Sequence, residues 1–277
     1  FVDVYTFEGQ AGQTITILLE SMAFNTYLLL EDEQGNQLAD NDDIAWDNLN
    51  SAAIVSLPTD GTYQVIAKSY EVGQQGQYTL RIATTNTDQS NPLLSQRETQ
   101  QLVVHQVFQQ GRKNYGQAEY QEAIADFTNA LELYQKIGDH AGEGQTYIEL
   151  GSTYEALRDY GQAITYLKQS LKIAREINDL ALEGSTYNIL GIVYSNQEDN
   201  EQALSLFHQT LETAQESGDR TLEAIASNNL GAVYKEEGNY GQALIAYRQA
   251  LEISQEIEYR ALESKSHNNL GEVYEEM

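Results

Sequence analysis

The sequence predicts a multidomain chain: an antiparallel β-sandwich over residues 1–85, then an all-α solenoid of stacked helix pairs over residues 101–277. Three observations lead there. Up to Thr85 the chain is a series of short β-branched and aromatic runs broken by turn residues. From Leu102 the apolar spacing becomes helical. The second half also repeats itself, with Gly111, Gly151, Gly191, Gly231 and Gly271 falling 40 residues apart without a gap. Repetition at such a period is the mark of a stacked-repeat architecture.

The strand candidates are Val2–Phe7, Thr14–Leu19, Tyr27–Leu30, Ala53–Leu57, Tyr63–Ala67 and Tyr78–Ile82. Their Val, Ile, Thr and Tyr content suits a pleated, half-buried surface. Turn signals separate them: Glu8-Gly-Gln, Gln34-Gly-Asn, Asp60-Gly-Thr and Gly73-Gln-Gln-Gly76. Alternation in Tyr63, Val65 and Ala67 marks one face toward a core and one toward water. Many short strands with no helix between them argue for a sandwich. Residues 86–100, NTDQSNPLLSQRETQ, are polar, hold Pro92 and read as a linker into a first helix.

The stretches YTFEGQAGQTITILL, YLLLEDEQGNQLADNDD and DGTYQVIAKSYEVGQQGQYTLRI resemble the bacterial pre-peptidase C-terminal domain across nearly all of the first 85 residues. The resemblance implies a small jelly-roll-like sandwich, an accessory module of secreted or envelope enzymes and adhesins without catalytic residues of its own. It also implies an extracytoplasmic setting. The family's leading strand would precede Phe1, so the chain is expected to be clipped there.

In the helical half, Ala123, Ala163, Ala203 and Ala243 keep the 40-residue step, as do Tyr154, Tyr194, Tyr234 and Tyr274, and Glu143, Glu183, Glu223 and Glu263. Each unit reads as two helices joined by a tight turn. Leu230-Gly231 is a large–small step whose glycine leaves a notch for a neighbouring helix, with Tyr234 on the same face three residues later. Gly238 suits a left-handed C-terminal cap. Ala243, Tyr247 and Ala250 form a small–large–small stripe on the second helix. Units of this kind bury their apolar faces only against one another. The pattern L-G-x-x-Y-x-x-x-G-x-Y-x-x-A-x-x-x-Y-x-x-A resembles the tetratricopeptide repeat. Its step and NNLG core are similar to the longer subclass found in kinesin light chains and many bacterial signalling proteins.

Four full units begin near Leu102, Glu143, Glu183 and Glu223, and the first helix of a fifth follows. The first departs from the pattern at Gln110 and Asn114, as a terminal cap does. The fifth keeps Leu270, Val273 and Tyr274 but has no second helix to cover them. The natural chain is therefore expected to continue past Met277, and the open face to be a possible homodimer contact.

Lys+Arg 15 against Asp+Glu 42 gives a net charge of -27 and excludes nucleic acid and anionic membrane surfaces as partners. No run of about 18 apolar residues could span a membrane. There is no cysteine, no phosphate-binding loop and no nucleophile elbow, and His105, His140, His208 and His267 share no ligand spacing. No enzyme, cofactor or metal is expected. Asp40-Asn-Asp-Asp43 with Asp47 offers calcium-type oxygen ligands but lacks the glycine and terminal glutamate of an EF-hand, and a solvated turn is the plainer alternative.

In the family that the repeats resemble, the first helices line a concave groove. With the notch glycine as the eighth place of a unit, groove places are two, five, six, nine and twelve. Candidate peptide-binding residues are Asn188, Asn228 and Asn268 at place five, Asn229 and Asn269 at place six, and Lys235 and Lys265. Asparagine amides can pair with both groups of a peptide main chain; the alternative is that they are solvated or bond a neighbouring helix. Two lysines beside Glu236, Glu272, Glu275 and Glu276 argue against a carboxylate clamp and for a neutral or basic peptide. The expected function is a non-catalytic protein–protein interaction scaffold. The alternative is the regulatory part of a larger protease, as in the cyanobacterial-type multidomain proteins with a downstream caspase-like (CHAT) peptidase that this order of domains resembles. Cell-surface or carbohydrate binding by the sandwich, through Trp46 and Tyr70, is a third reading.

Overall fold

The computed structural model describes residues 2–21, 23, 25–41, 50–69, 76–84 and 93–277. Packing divides the chain into a first unit, Phe1–Gln110 with Lys136–Gly138, and a second, Gly111–Gln135 with Asp139–Met277.

In the first unit the described strands are β1 (Val2–Gly9), β2 (Thr14–Glu20), β3 (Thr26–Glu31), β4 (Gln37–Asn41), β5 (Ser51–Ser56), β6 (Gly61–Ser69) and β7 (Thr79–Thr84). They form two sheets, ordered β1-β6-β3-β4 and β5-β2-β7, with every pair antiparallel. Ile17, Leu19, Leu28, Leu30 and Val65 are fully buried in the core. The expected alternation holds in β6, where Tyr63, Val65 and Ala67 are buried and Gln64 and Ile66 less so. Strand β4 was not among the sequence candidates. Its Gln-Leu-Ala-Asp-Asn run is polar as suits an edge strand: among the described residues it pairs only with β3, across a register shift at Leu30/Glu31.

Helix α1 (Gln96–Gly116) starts inside the expected linker. A capping box explains why: the Ser95 amide donates to the Glu98 carboxylate at 2.8 Å, and the Glu98 amide donates to Ser95 Oγ at 3.2 Å. Hydrogen bonding from the Ser95 side chain, and then from the Ser95 amide, holds the Glu98 carboxyl below its ordinary value. Leu94 and Leu102 are buried with Leu18 and Ala52, so the end of the linker is core of the first unit.

In the second unit follow α2 (Tyr120–Ile137), α3 (His140–Ala156), α4 (Tyr160–Ile177), α5 (Leu180–Asn196), α6 (Asn200–Ser217), α7 (Arg220–Glu236), α8 (Tyr240–Glu256) and α9 (Arg260–Glu276). Helices α3 to α7 begin alike. Asp139, Asp159, Asp179, Asp199 and Asp219 each accept the amide three residues on, at 2.9–3.1 Å. Each cap stabilises its helix by about 1 kcal/mol, helped by the negative charge at the positive end of the helix dipole. The caps recur every 20 residues, a finer step within the 40-residue repeat. Gly238 has φ +72°, as a left-handed cap requires.

The recurring glycine is a notch, and the second helix of its own unit fills it. A Cβ on Gly111, Gly151, Gly191 or Gly231 would stand 2.6–2.7 Å from Phe127, Leu167, Phe207 or Tyr247, each sixteen residues later. Gly271 has open space instead. Chemical denaturation should therefore separate two identical substitutions. Gly231→Ala should destabilise by about 1–3 kcal/mol through overpacking. Gly271→Ala should be neutral or stabilise by up to about 1 kcal/mol, the ordinary helical preference.

Candidate functional site

The first helices of successive units approach one another directly: α3 touches α5, α5 touches α7, and α7 touches α9. No comparable contact joins α4 to α6 or α6 to α8. A stack whose first helices are closer together than its second helices curves with the first helices inside. On that inner side, burial alternates with the helical period. Ser185, Ile189, Ile192 and Ser195 are partly exposed on α5, as are Ile225, Asn229, Ala232 and Lys235 on α7, and from Ser185 to Val193 and from Ile225 to Val233 the residues between them are buried.

The asparagines do not form an open ladder. Asn229 Nδ2 donates to Asn188 Oδ1 at 2.9 Å, and Asn269 Nδ2 donates to Asn228 Oδ1 at 2.9 Å. Asn188 is 8% exposed and Asn228 1%, which leaves little of either to meet a ligand. The amides clasp neighbouring units because place five of one unit faces place six of the next. At the preceding junction the same two places hold Ile148 and Ile189, an apolar pair beside one core cluster. Lys235 donates to Glu272 at 2.6 Å, and this bond raises its amine above the ordinary value. Among the candidates only Asn268 and Lys265 are exposed.

The recurring glutamate also serves the stack. Glu143, Glu183, Glu223 and Glu263 accept from Gln135, Arg175, Gln215 and Gln255, each eight residues earlier, at 2.9–3.2 Å. Each bond ties the second helix of one unit to the first helix of the next. In the first repeat, Asn114 donates to Asp126 at 2.8 Å, a polar pair where later repeats carry a tyrosine.

At the other end of the inner wall lies an acidic corner. Glu149 sits 3.6 Å from Arg112, and burial pushes its carboxyl up against the pull of that guanidinium. Glu155 Oε1 accepts from Asn196 Nδ2 at 2.7 Å. The Tyr115 phenol is pushed up by burial and by the nearby charges of Glu155 and Glu149.

In the sandwich, an open cleft of about 960 Å³ is lined by Asp3, Tyr5, Glu20, Asn50 and Tyr78 among others. The Tyr78 hydroxyl donates to Asp3 at 2.6 Å and bonds the Tyr5 hydroxyl. Asp40 accepts from Tyr27 and Gln37, whereas Asp42, Asp43, Asp47, Trp46 and Tyr70 lie outside the described residues. Among the described residues no three His, Asp or Glu side chains are placed to hold a metal ion, and no helix is long and apolar enough to cross a membrane.

A double-mutant cycle on Asn188→Ala and Asn229→Ala checks the clasp. Each single change should cost about 1–2 kcal/mol of unfolding free energy, with a coupling of about 0.5–1.5 kcal/mol.

Residues 114–176, 182–256 and 228–277 match the tetratricopeptide repeat family, and residues 1–69 match the bacterial pre-peptidase C-terminal domain. Among solved structures the chain is similar to BtubC (BKLC) from P. vanneervenii, at 22% identity and a TM-score of 0.57, over 64% of this chain and 74% of that one. It is similar to a signal transduction ATPase with numerous domains and a tetratricopeptide repeat sensor from Pyrococcus horikoshii, at 22% identity and a TM-score of 0.57, over 65% of this chain and 28% of that one. It is also similar to a Rap protein complexed with competence and sporulation factor, at 18% identity and a TM-score of 0.55, over 65% of this chain and 50% of that one. At these identities the likeness is one of fold. No curated protein matches the chain in sequence. The notch glycines, their filled partners and the family match agree: the chain belongs to the tetratricopeptide repeat family and carries a bacterial pre-peptidase C-terminal domain ahead of its repeats.

Proposed function

We propose that the chain is a non-catalytic interaction scaffold whose inner repeat wall binds an extended segment of a protein partner. The observation that carries this is the half-exposure of Ile189, Ile192 and Ile225 on the inner side of α5 and α7. Fully burying an isoleucine is worth about 1.5–3 kcal/mol, and these three, already packed against core clusters on one side, keep the unburied part of that for a ligand on the concave wall. The wall between them carries little charge although the chain as a whole carries -27. Acidic groups flank that stretch, Glu149 and Glu155 on α3 and Glu272 and Glu275 on α9, which suits a neutral or basic peptide. The asparagines act indirectly, holding α5, α7 and α9 in register while the aliphatic and serine positions between them meet the ligand. The Rap protein that shares this fold was solved complexed with competence and sporulation factor, which supports a partner-binding reading.

Peptides selected by phage display on the intact chain supply the test. Ile192→Asp combined with Ile225→Asp should weaken the selected peptides by tenfold or more in fluorescence anisotropy, about 1.4 kcal/mol. Both side chains also pack against core residues, so circular dichroism must show the double variant folded before its binding is read. Unchanged affinity in a folded double variant would place the site elsewhere.

A further inference from the structure

Resting on the inner wall as the binding face, we infer that its ligand is a peptide with an aliphatic side chain and, two or three residues away, a basic one. The aliphatic seat follows from the asparagine clasp. The Asn188–Asn229 bond holds α5 and α7 side by side at one level. One turn beyond Asn188 stands Ile192, and three residues beyond Asn229 stands Ala232, both half-exposed. A large side chain beside a small one leaves a dip, with Ile189 next along the same helix. No charge lies at the inner places of α5, which are Ser185, Asn188, Ile189, Ile192 and Ser195. A charged ligand residue there would be desolvated without compensation.

The basic seat follows from the next level of the wall. Asn196, one turn beyond Ile192, donates to Glu155 of α3. Among the described residues no cation pairs with Glu155. The neighbouring Glu149 is offset by Arg112 at 3.6 Å, so the corner keeps one net negative charge. Tyr115 stands close enough to Glu155 and Glu149 for their charges to act on its phenol. At the opposite end Lys235 is bonded to Glu272 at 2.6 Å with Glu236 and Glu276 also acting on it, and the exposed Lys265 and Glu275 lie on α9. The wall is thus uncharged in its middle and acidic toward its ends, and Glu155 is the acidic group that adjoins α5, through Asn196. Glu155 and Ile192 are separated by about 6 Å along the helix axes and by up to about 10 Å across neighbouring helices. At about 3.4 Å per extended residue that is two or three residues of peptide.

The test is an oriented selection with the full chain. A random heptapeptide phage library is panned against the wild type and against Glu155→Lys, and individual peptides are measured by fluorescence anisotropy at low salt. The selected wild-type sequences should share Leu, Ile or Val with Lys or Arg two or three residues away. Glu155→Lys should weaken those peptides by tenfold or more, and the same peptides with Glu in place of the basic residue should regain binding to it. This charge-swap rescue is something a merely structural role for Glu155 would not produce. Peptides that lose binding in the Ile192→Asp, Ile225→Asp variant yet carry no basic residue, or ignore Glu155→Lys, would overturn the inference and leave the inner wall as the site. Peptides that survive the isoleucine changes, or a library that enriches nothing, would overturn both.

Discussion

Four times along this chain a bulky side chain rests where a glycine has no Cβ. Phe127, Leu167, Phe207 and Tyr247 each occupy the notch of a glycine sixteen residues earlier. Interiors pack at crystal-like density, so a side chain so placed leaves little freedom in how the two helices cross. The second helix of each unit is thereby fixed against one face of the first. The remaining face of the first helix is turned to its counterparts in the units before and after, and touches them, whereas successive second helices make no comparable contact. The concave wall is a consequence of this difference.

Between units the connections are polar and modest. A glutamate at each junction accepts from the helix before it, an aspartate caps helix after helix, and at two junctions asparagines clasp one another. Each such bond contributes about 1 kcal/mol net, so apolar burial carries the stability while the polar bonds set register. This explains how a chain of charge -27 stacks at all. Many of its carboxylates have definite work at helix starts and junctions, where amide donors and helix dipoles favour a negative group.

Much of this was legible in the sequence, and the remainder was hidden for physical reasons. Gly231 announced the notch, because packing needs a small residue where helices approach closely, but the sequence pointed to Tyr234 beside it, whereas the side chain that fills it is Tyr247, from the second helix. Gly238 announced its left-handed turn. Strand β4 did not show, since an edge strand with one neighbour can stay as polar as a loop. The helix start at Gln96 was obscured by the polarity of its surroundings, although Ser95 and Glu98 spelled a capping box. The asparagines were the instructive difference. Read down one column they form a repeated surface feature. Read diagonally, place five against place six of the following unit, Asn meets Asn where Ile met Ile, which is the signature of a contact.

Function enters through what that packing leaves over. Amides and charges on the inner wall are largely matched within the protein, so the aliphatic positions of α5 and α7 are the surface with binding energy still to gain. Isoleucine-methyl NMR of the intact chain, titrated with a selected peptide, addresses this most directly. The account predicts shifts at Ile189, Ile192 and Ile225 and silence at Ile245, an exposed isoleucine on the second helix of its unit. Movement at Ile245 with the three inner methyls unchanged would contradict it.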